Sequence, residues 1–445
     1  MDAYLTDKHN RFLRRRVQSR FISAIPEMRL VKVYPDVLYQ PVLGFGGALT
    51  EAAGYVFSHM DGRLQREFVE ACFGQKGNRY NLARTSIQSC DFSLGPRAYV
   101  EDASDVWLDT FSIQGDRSYV LPLIKAVQEV NPGLEFLASP WSPPAWAKTN
   151  GSMKAGGYLK HGAYGIWARM IARYLLAYRE EGIDIGRITV QNEPQAKQTW
   201  ESCLFNAYQE REFLCNHLRP ALDEAGLYDV KILVWDHNKE GMYDRAAEFM
   251  CDPQAAPLFD GVAFHWYSGD HFEAVRATRE LIGDRELIFS EGCDAYSAGD
   301  ISQELSHAEH YAHELIGDLE AGANAFFDWN VLLDSSGGPN HVDNVCDAPV
   351  MYDASRGTLR LRLPYYYLGH FSRFIQPGAR RMLVTRFVQD VETCGFVNPD
   401  GGKVLVVLNR TGHDVPFMLS RSSRVVERRI VKVTAPAHSI QTLCW

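Results

Sequence analysis

The chain contains no run of eighteen apolar residues, so no segment reads as a membrane-spanning helix. Its first thirty residues carry Lys8 and several arginines but nothing like the apolar centre of a secretory signal, which makes a cytoplasmic location the expectation. None of the nine cysteines, at positions 72, 90, 203, 215, 251, 293, 346, 394 and 444, forms a Cys-x-x-Cys pair, and this removes zinc-finger and thioredoxin readings. An odd number cannot pair completely, so free and mostly buried thiols in a reducing compartment are expected. Positive charge is also in short supply, with 46 Lys and Arg against 55 Asp and Glu and a formal net charge of −9. A nucleic-acid-binding surface would need a local basic cluster to overcome that balance. The only dense one is Arg11, Arg14, Arg15, Arg16 and Arg20. It reads as a solvated N-terminal arm or first helix, and no nucleic-acid partner is expected. A Gly-x-Gly-x-x-Gly after the first clear strand is missing, which counts against a doubly wound dinucleotide-binding sheet. No compact group of His, Asp and Cys is visible, so neither a metal nor another cofactor is expected.

What is present is a long, ordinary globular composition: 445 residues, of which 46% are apolar. That length suits one large α/β barrel with a small partner domain. From about residue 80 to 340 a short apolar run ending in polar residues is followed repeatedly by a helical pattern. The strand-like runs are 80–84, 134–139, 188–193, 231–236, 262–267, 286–291 and 323–329. Helix-like stretches lie at about 50–73, 160–181, 207–225, 271–282 and 304–321. Such alternation reads as α/β, and eight units would close a (β/α)8 TIM barrel. After Pro364 the pattern turns to short strands separated by Gly and Asp turns, an attached all-β sandwich. The expected division is 21–42 as N-terminal strands joining the sandwich, 43–370 as the barrel and 371–445 as the rest of the sandwich. Gly44-Phe45-Gly46-Gly47 reads as a backbone hinge between the first strands and the barrel.

In a barrel the carboxyl ends of the strands converge on one mouth. Here those ends carry Arg84, Asp91, Trp141, Asn192, Glu193, His265, Tyr267, Glu291 and Trp329. Carboxylates beside apolar runs are costly unless paired or functional. Glu193 and Glu291 each close a strand-like run and stand 98 residues apart, about three βα units. Two carboxyls facing each other across a mouth are what glycosidic-bond hydrolysis requires, one to protonate the leaving oxygen and one to attack or to orient water. Trp141, Trp146, Trp266, Tyr267 and Trp329 lie at or near strand ends, where flat aromatic faces suit the C–H faces of sugar rings. Their alternative reading is plain core packing.

Several longer stretches are more specific: Gly44–Ala48, Arg84–Ser93, Ser139–Asn150, Gln191–Pro194, His265–Tyr267, Ser290-Glu291, Asp328–Asn330, Gly337–Asn340, Tyr367–Ser372 and His438–Thr442. Through these motifs the chain resembles glycoside hydrolase family 30, in the acid β-glucosidase (glucosylceramidase) branch, from about residue 41 to Trp445. The resemblance implies a barrel joined to a sandwich, a carbohydrate or glycolipid substrate, and a retaining double displacement. It implies Glu193 as acid/base and Glu291 as nucleophile. Asn192 would then hold the 2-hydroxyl, and Arg84 and Tyr267 would flank Glu291. Asp91 and Trp141 would bind the outer hydroxyls, Trp329 would line the sugar subsite, and Asn344 would sit at its edge. On this reading Glu193 needs a raised pKa, while Arg84 keeps Glu291 ionised. A β-1,6-glucanase, a β-xylosidase or β-fucosidase of the same family stays open as a substrate alternative. A non-catalytic carbohydrate-binding barrel is disfavoured because both glutamates are intact. His341 stands where relatives more often carry Trp, so the aglycone side is expected to differ.

Overall fold

In the computed structural model, residues 1–17, 20–21, 29–421 and 429–445 are described. The side chain of Arg20 and the expected strand residue Met28 lie outside the described residues. Eight parallel strands close a barrel: β1 (Gly44–Ala48), β2 (Leu82–Ile87), β3 (Glu135–Pro140), β4 (Arg187–Thr189), β5 (Lys231–Asn238), β6 (Gly261–His265), β7 (Glu286–Glu291) and β8 (Ala325–Asn330). Seven of these coincide with the strand-like runs read from the sequence. The eighth is β1, which the sequence presents as a hinge. Three of its five residues are glycine, the residue type least suited to strands. The structure gives the reason for one of them: a Cβ on Gly46 would lie 1.8 Å from the Leu82 carbonyl oxygen. The β1 backbone packs too close to β2 for any side chain there.

The barrel is filled from within by Leu82, Leu137, Leu233, Ala263, Ile288, Ala325 and Phe327. Its outer wall is covered by helices whose apolar residues recur every three or four positions. In Tyr164–Glu180 these are Trp167, Ala168, Ile171, Tyr174, Leu175 and Tyr178, all buried. The helical stretch read at 207–225 is one helix interrupted by a π turn over Leu214–Leu218, just ahead of Pro220. A proline has no N–H to continue the α ladder, which accounts for the break. At the strand starts, Arg187 binds Glu286 (2.7 Å) and Glu135 (2.6 Å), an ion network on the face away from the mouth. Among the described residues no helix is long and apolar enough to cross a membrane.

Three short strands, Leu332–Asp334, Val350–Asp353 and Thr358–Leu361, form a small sheet of their own, and the other strands form a ten-stranded sheet that folds as a sandwich around Val31, Val33, Met382, Leu405, Val407, Phe417, Leu419, Val431 and Leu443. It takes in both ends of the chain. Asp2–Thr6 pairs antiparallel with Ser439–Cys444 on one side and with Leu13–Arg16 on the other. The arginine cluster is therefore neither an arm nor a helix: Arg14, Arg15 and Arg16 lie on an edge strand with exposed side chains, and Arg14 reaches Asp2 at 2.8 Å. Charged residues on an edge discourage strand addition by another chain. All nine cysteines are free, and five of them are buried.

The helix Leu363–Ser372 joins the two units. His370 lies wholly buried, with Nε2 2.8 Å from Thr6 Oγ1 and Nδ1 2.9 Å from Thr442 Oγ1. Burial, helped by Arg373, pushes this imidazole down to about 3. The folded protein thus keeps His370 neutral while the unfolded chain takes a proton near pH 6.5. Stability from this residue is complete above that pH and is lost as pH falls toward 3, at about 1.4 kcal/mol per unit. Urea unfolding of the wild type and a His370→Asn variant should therefore converge by roughly 2–3 kcal/mol between pH 7 and 4.5. A gap that stays constant across that range would show that His370 does not carry the acid sensitivity.

Candidate active site

Backbone irregularities at the barrel mouth aim the side chains of the site. Opposite β5, Ala263 pairs with Trp235 and Phe264 with His237, leaving Asp236 as an extra residue. Opposite β6, Phe289 and Glu291 are paired and Ser290 is skipped. In β8 the pairing jumps from Asp328 to Asn330 past Trp329. Each is a bulge, which re-aims a side chain by one position. Trp235 (φ 76°), Asp236 (φ 51°) and Glu193 (φ 46°) occupy the left-handed region, a conformation that costs on the order of 1–3 kcal/mol per residue and must be held by its surroundings. The backbone N–H of Glu193 is fixed by the Asp236 carbonyl (2.9 Å) and that of Asn192 by the Pro140 carbonyl (2.9 Å).

Arg84 and Asp236 are the hub. Both are completely buried. Arg84 donates to Asp236 (3.0 Å), to Asn192 Oδ1 (2.8 Å) and to Glu291 Oε2. Asp236 also accepts from Ser139 (2.8 Å), Thr189 (2.7 Å) and Ser290 (2.6 Å), and it meets His265 Nε2 at 3.0 Å. Tyr267 donates its hydroxyl to the other oxygen of Glu291 at 3.1 Å. Arg84 and Tyr267 thus flank Glu291. Gln198 donates to Glu193 at 3.1 Å. His265 Nδ1 lies 3.4 Å from Glu193 Oε1 and 4.0 Å from Glu291 Oε1. One imidazole nitrogen therefore touches both carboxylates and limits how far apart they can be.

A cavity of about 260 Å³ opens above this network, lined by Asp91, Trp141, Asn192, Glu193, Gln198, Trp200, His237, Asn238, Tyr267, Glu291, Cys293, Trp329 and Asn344. Every residue of the site that the resemblance implies lies on this wall except Arg84, which stands behind it, as does the strand-end His265. Trp141 and Trp329 stack at 5.1 Å and an angle of 19°, and the Arg84 guanidinium lies over the Trp141 ring at 4.8 Å. Asn344 donates to Asp91 Oδ2 at 2.9 Å, while Asp91 Oδ1 is buried without a partner among the described residues. Two aromatics fall elsewhere. Trp146 donates to the Val100 carbonyl away from the cavity, and Trp266 packs outward on His310 and Tyr311, as alternation from His265 requires. His341 is tied to Glu201 (3.2 Å) and to the Ser93 carbonyl (3.0 Å), so it fastens three loops together and does not line the cavity. Gln198, Trp200, His237, Asn238 and Cys293 were not singled out in the sequence. His237 and Asn238 directly follow the run that ends at Asp236, and extending that run by two residues would have reached them.

The charges are arranged differently from the sequence expectation. Burial works to raise the Glu193 carboxyl, but the His265 imidazolium beside it outweighs this and holds it below its ordinary value. Burial opposes charge on His265 too, yet Glu291, Asp236 and Glu193 together raise it to about 9. Glu291 is raised by burial, only partly offset by His265 and Arg84. Burial and Glu291 push Asp91 up to about 8. Asp236 is held far below the carboxylate range by Arg84, His265 and Ser290 in spite of its burial. These shifts favour the imidazolium form of His265, at ion-pair distance from Glu193.

Two domain descriptions fit this chain: the glycosyl hydrolase family 30 TIM-barrel domain over residues 42–375 and the family 30 beta sandwich domain over 378–443. The chain belongs to glycoside hydrolase family 30. It is 32% identical over 434 residues to the lysosomal acid glucosylceramidase of Mus musculus, across 94% of this chain and 83% of the relative. It is 26% identical to an endo-1,6-beta-D-glucanase of Neurospora crassa, across 86% and 81%. Among solved structures it superposes on SrfJ from Salmonella typhimurium with a TM-score of 0.95 at 39% identity, covering 100% of this chain and 99% of the other. The family and these relatives make the protein a glycoside hydrolase of family 30.

The hub yields a test of its own. Asp236→Asn removes one of the two carboxylates that Arg84 contacts, in a place with no solvent to compensate. A loss of about 3–5 kcal/mol is expected by urea unfolding. A loss under about 0.5 kcal/mol, the size of a surface change, would mean that Glu291, Asn192 and Ser139 suffice to hold Arg84.

Proposed function

We propose that the protein is a retaining β-glycosidase that removes a terminal β-glucose from a glucosylceramide-like glucoside. The observation that carries this reading is the placement of Glu193 and Glu291 on one cavity wall, both within reach of His265 Nδ1. The sum of those two spans is an upper bound on the separation of the facing oxygens. It excludes the wide half of the inverting range of about 6.5–9.5 Å, and it accommodates the shorter spacing of about 5–5.5 Å that retaining pairs use.

In this mechanism Glu291 attacks the anomeric carbon, oriented by Arg84 and Tyr267. The proton on His265 passes through Glu193 to the departing oxygen, and the glycosyl group becomes covalently bound to Glu291. That bond removes the negative charge of Glu291, which is the largest charge raising His265. His265 is left neutral, the Glu193 carboxylate acts as the base that takes a proton from the attacking water, and that proton returns to His265 as Glu291 is released. Substrate enters as the neutral ring between the Trp141–Trp329 wall and Tyr267. Asn192 meets the 2-hydroxyl, and the unpartnered Asp91 oxygen meets the outer hydroxyls, with Asn344 holding Asp91 in place. A volume of about 260 Å³ suits a single sugar ring, at the small end for a ligand pocket. This favours release of a terminal sugar over binding along a chain. The closeness to a glucosylceramidase and the Asp91–Asn344 pair favour glucose.

Two experiments check these assignments. Glu193→Ala should slow substrates with poor leaving groups far more than activated aryl glucosides, by about 10²–10⁴-fold, and azide should restore turnover with a β-glycosyl azide product. Equal damage to both substrate types without rescue would remove Glu193 from the acid/base role. For the sugar, kcat/KM for matched aryl β-glucoside and β-xyloside should show Asp91→Ala costing the glucoside at least tenfold more, about 1.4 kcal/mol. Equal losses would place Asp91 away from the outer hydroxymethyl group and reopen the xylosidase reading.

A further inference from the structure

Three metal-ligating groups converge at the acid/base side of the cavity. The donor atoms of Glu193, His237 and His265 all lie within 4.8 Å of one another. From Glu193 Oε1 it is 3.4 Å to His265 Nδ1 and 3.9 Å to His237 Nδ1. Neither of those ring nitrogens makes a well-formed hydrogen bond among the described residues, although His265 is completely buried. Sequence alone hid this group, because its members come from three separate strand ends and share no local motif.

The spacing discriminates among ligands. A tetrahedral ion with bonds of about 2.0–2.1 Å to nitrogen and oxygen places neighbouring donors about 3.3 Å apart. The His265–Glu193 span already has that length, while the spans to His237, all within 4.8 Å, close when its ring turns toward the other two donors. The far nitrogen of His265 is anchored on the Asp236 carboxylate at 3.0 Å. This carboxylate–imidazole–metal arrangement fixes a ligand ring and raises its basicity. Asp236, Glu193 and Glu291 supply three carboxylates against the single guanidinium of Arg84, so a cation suits the field here. Hard cations such as magnesium favour all-oxygen sets, while two imidazoles favour zinc-class ions.

We propose that Glu193, His237 and His265 form an inhibitory site for a divalent d-block cation of the zinc class. The bound ion takes the carboxylate that must otherwise carry the proton to the leaving group. Its fourth position faces the cavity, where the leaving oxygen would arrive. The imidazoles bind as neutral ligands. The consequence of binding, though not the site itself, rests on the acid/base reading of Glu193.

The test uses the full-length protein with Zn²⁺, Mg²⁺ and Co²⁺ as probes. Zn²⁺ should inhibit aryl glucoside hydrolysis reversibly, with activity restored by EDTA, and Mg²⁺ should not. Co²⁺ should give a visible d–d band of a tetrahedral nitrogen and oxygen site at one ion per chain. His237→Gln should weaken both Zn²⁺ inhibition and Co²⁺ affinity by about tenfold or more. If that variant is inactive, the Co²⁺ titration still reads the site. Cys293 lines the same cavity. Inhibition that survives His237→Gln but disappears in Cys293→Ser would overturn the proposal in favour of thiol ligation, and absence of the cobalt band would overturn it outright. Azide rescue of Glu193→Ala without a cobalt band rejects the ion site alone. A cobalt band that His237→Gln abolishes, without azide rescue, keeps the site and rejects the acid/base role.

Discussion

One buried guanidinium organises this protein. Arg84 has no access to water and is held by Asp236 and Glu291 together. A buried charge is tolerable only when its partners are close and otherwise satisfied. That requirement runs outward from the hub. Asp236 must point inward, and the bulge in β5 and the left-handed backbone at Trp235 and Asp236 follow from it. Ser139 and Thr189 come from adjacent strands and Ser290 from a third across the barrel, and together they saturate the remaining carboxylate lone pairs. The barrel mouth is rigid because these polar groups fit together in only one way.

Much of this was legible in the sequence, for a physical reason. Barrel strands buried on both faces leave unbroken apolar runs, and polar residues that end such runs are costly and therefore informative. Glu291, Arg84 and Trp141 were visible in this way. β1 was not, since glycines chosen for close backbone approach look like a hinge in a linear reading. The arginines at 14–16 were misread because an exposed edge strand carries no apolar alternation to distinguish it from an arm. His237 and the fastening of His341 to Glu201 depend on loops meeting in space, which no spacing along the chain records. The lowering of the Glu193 carboxyl, against the raised value that an acid would need, is hidden from the sequence for a similar reason. Its controlling neighbour, His265, was noticed at a strand end, but its distance from Glu193 is a property of the closed barrel.

The proton on His265 changes how the two glutamates relate. They are not an isolated acid and base with pKa values set separately. Their titration is tied to one imidazole that is itself tied to Asp236. Groups coupled at such short range share their protons, and the observable pKa values belong to the set. In the proposed double displacement, catalysis then depends on how a proton moves among this set as the charge on Glu291 appears and disappears.

The closing of the sandwich by both chain ends also bears on how the protein is made. Asp2–Thr6 pairs with the nearby Leu13–Arg16 along one edge and with the distant Ser439–Cys444 along the other, and His370 bonds to a threonine from Asp2–Thr6 and one from Ser439–Cys444. That second edge stays open until Ser439–Cys444 has been made. The barrel can begin to assemble from neighbouring βα units during synthesis. The sandwich is completed only by pairings distant in sequence, which form slowly. In the interval one edge of Asp2–Thr6 is open to solvent and to other chains. A chain lacking Ser439–Cys444 would retain nearly all of the barrel and yet leave that edge of Asp2–Thr6 without its partner.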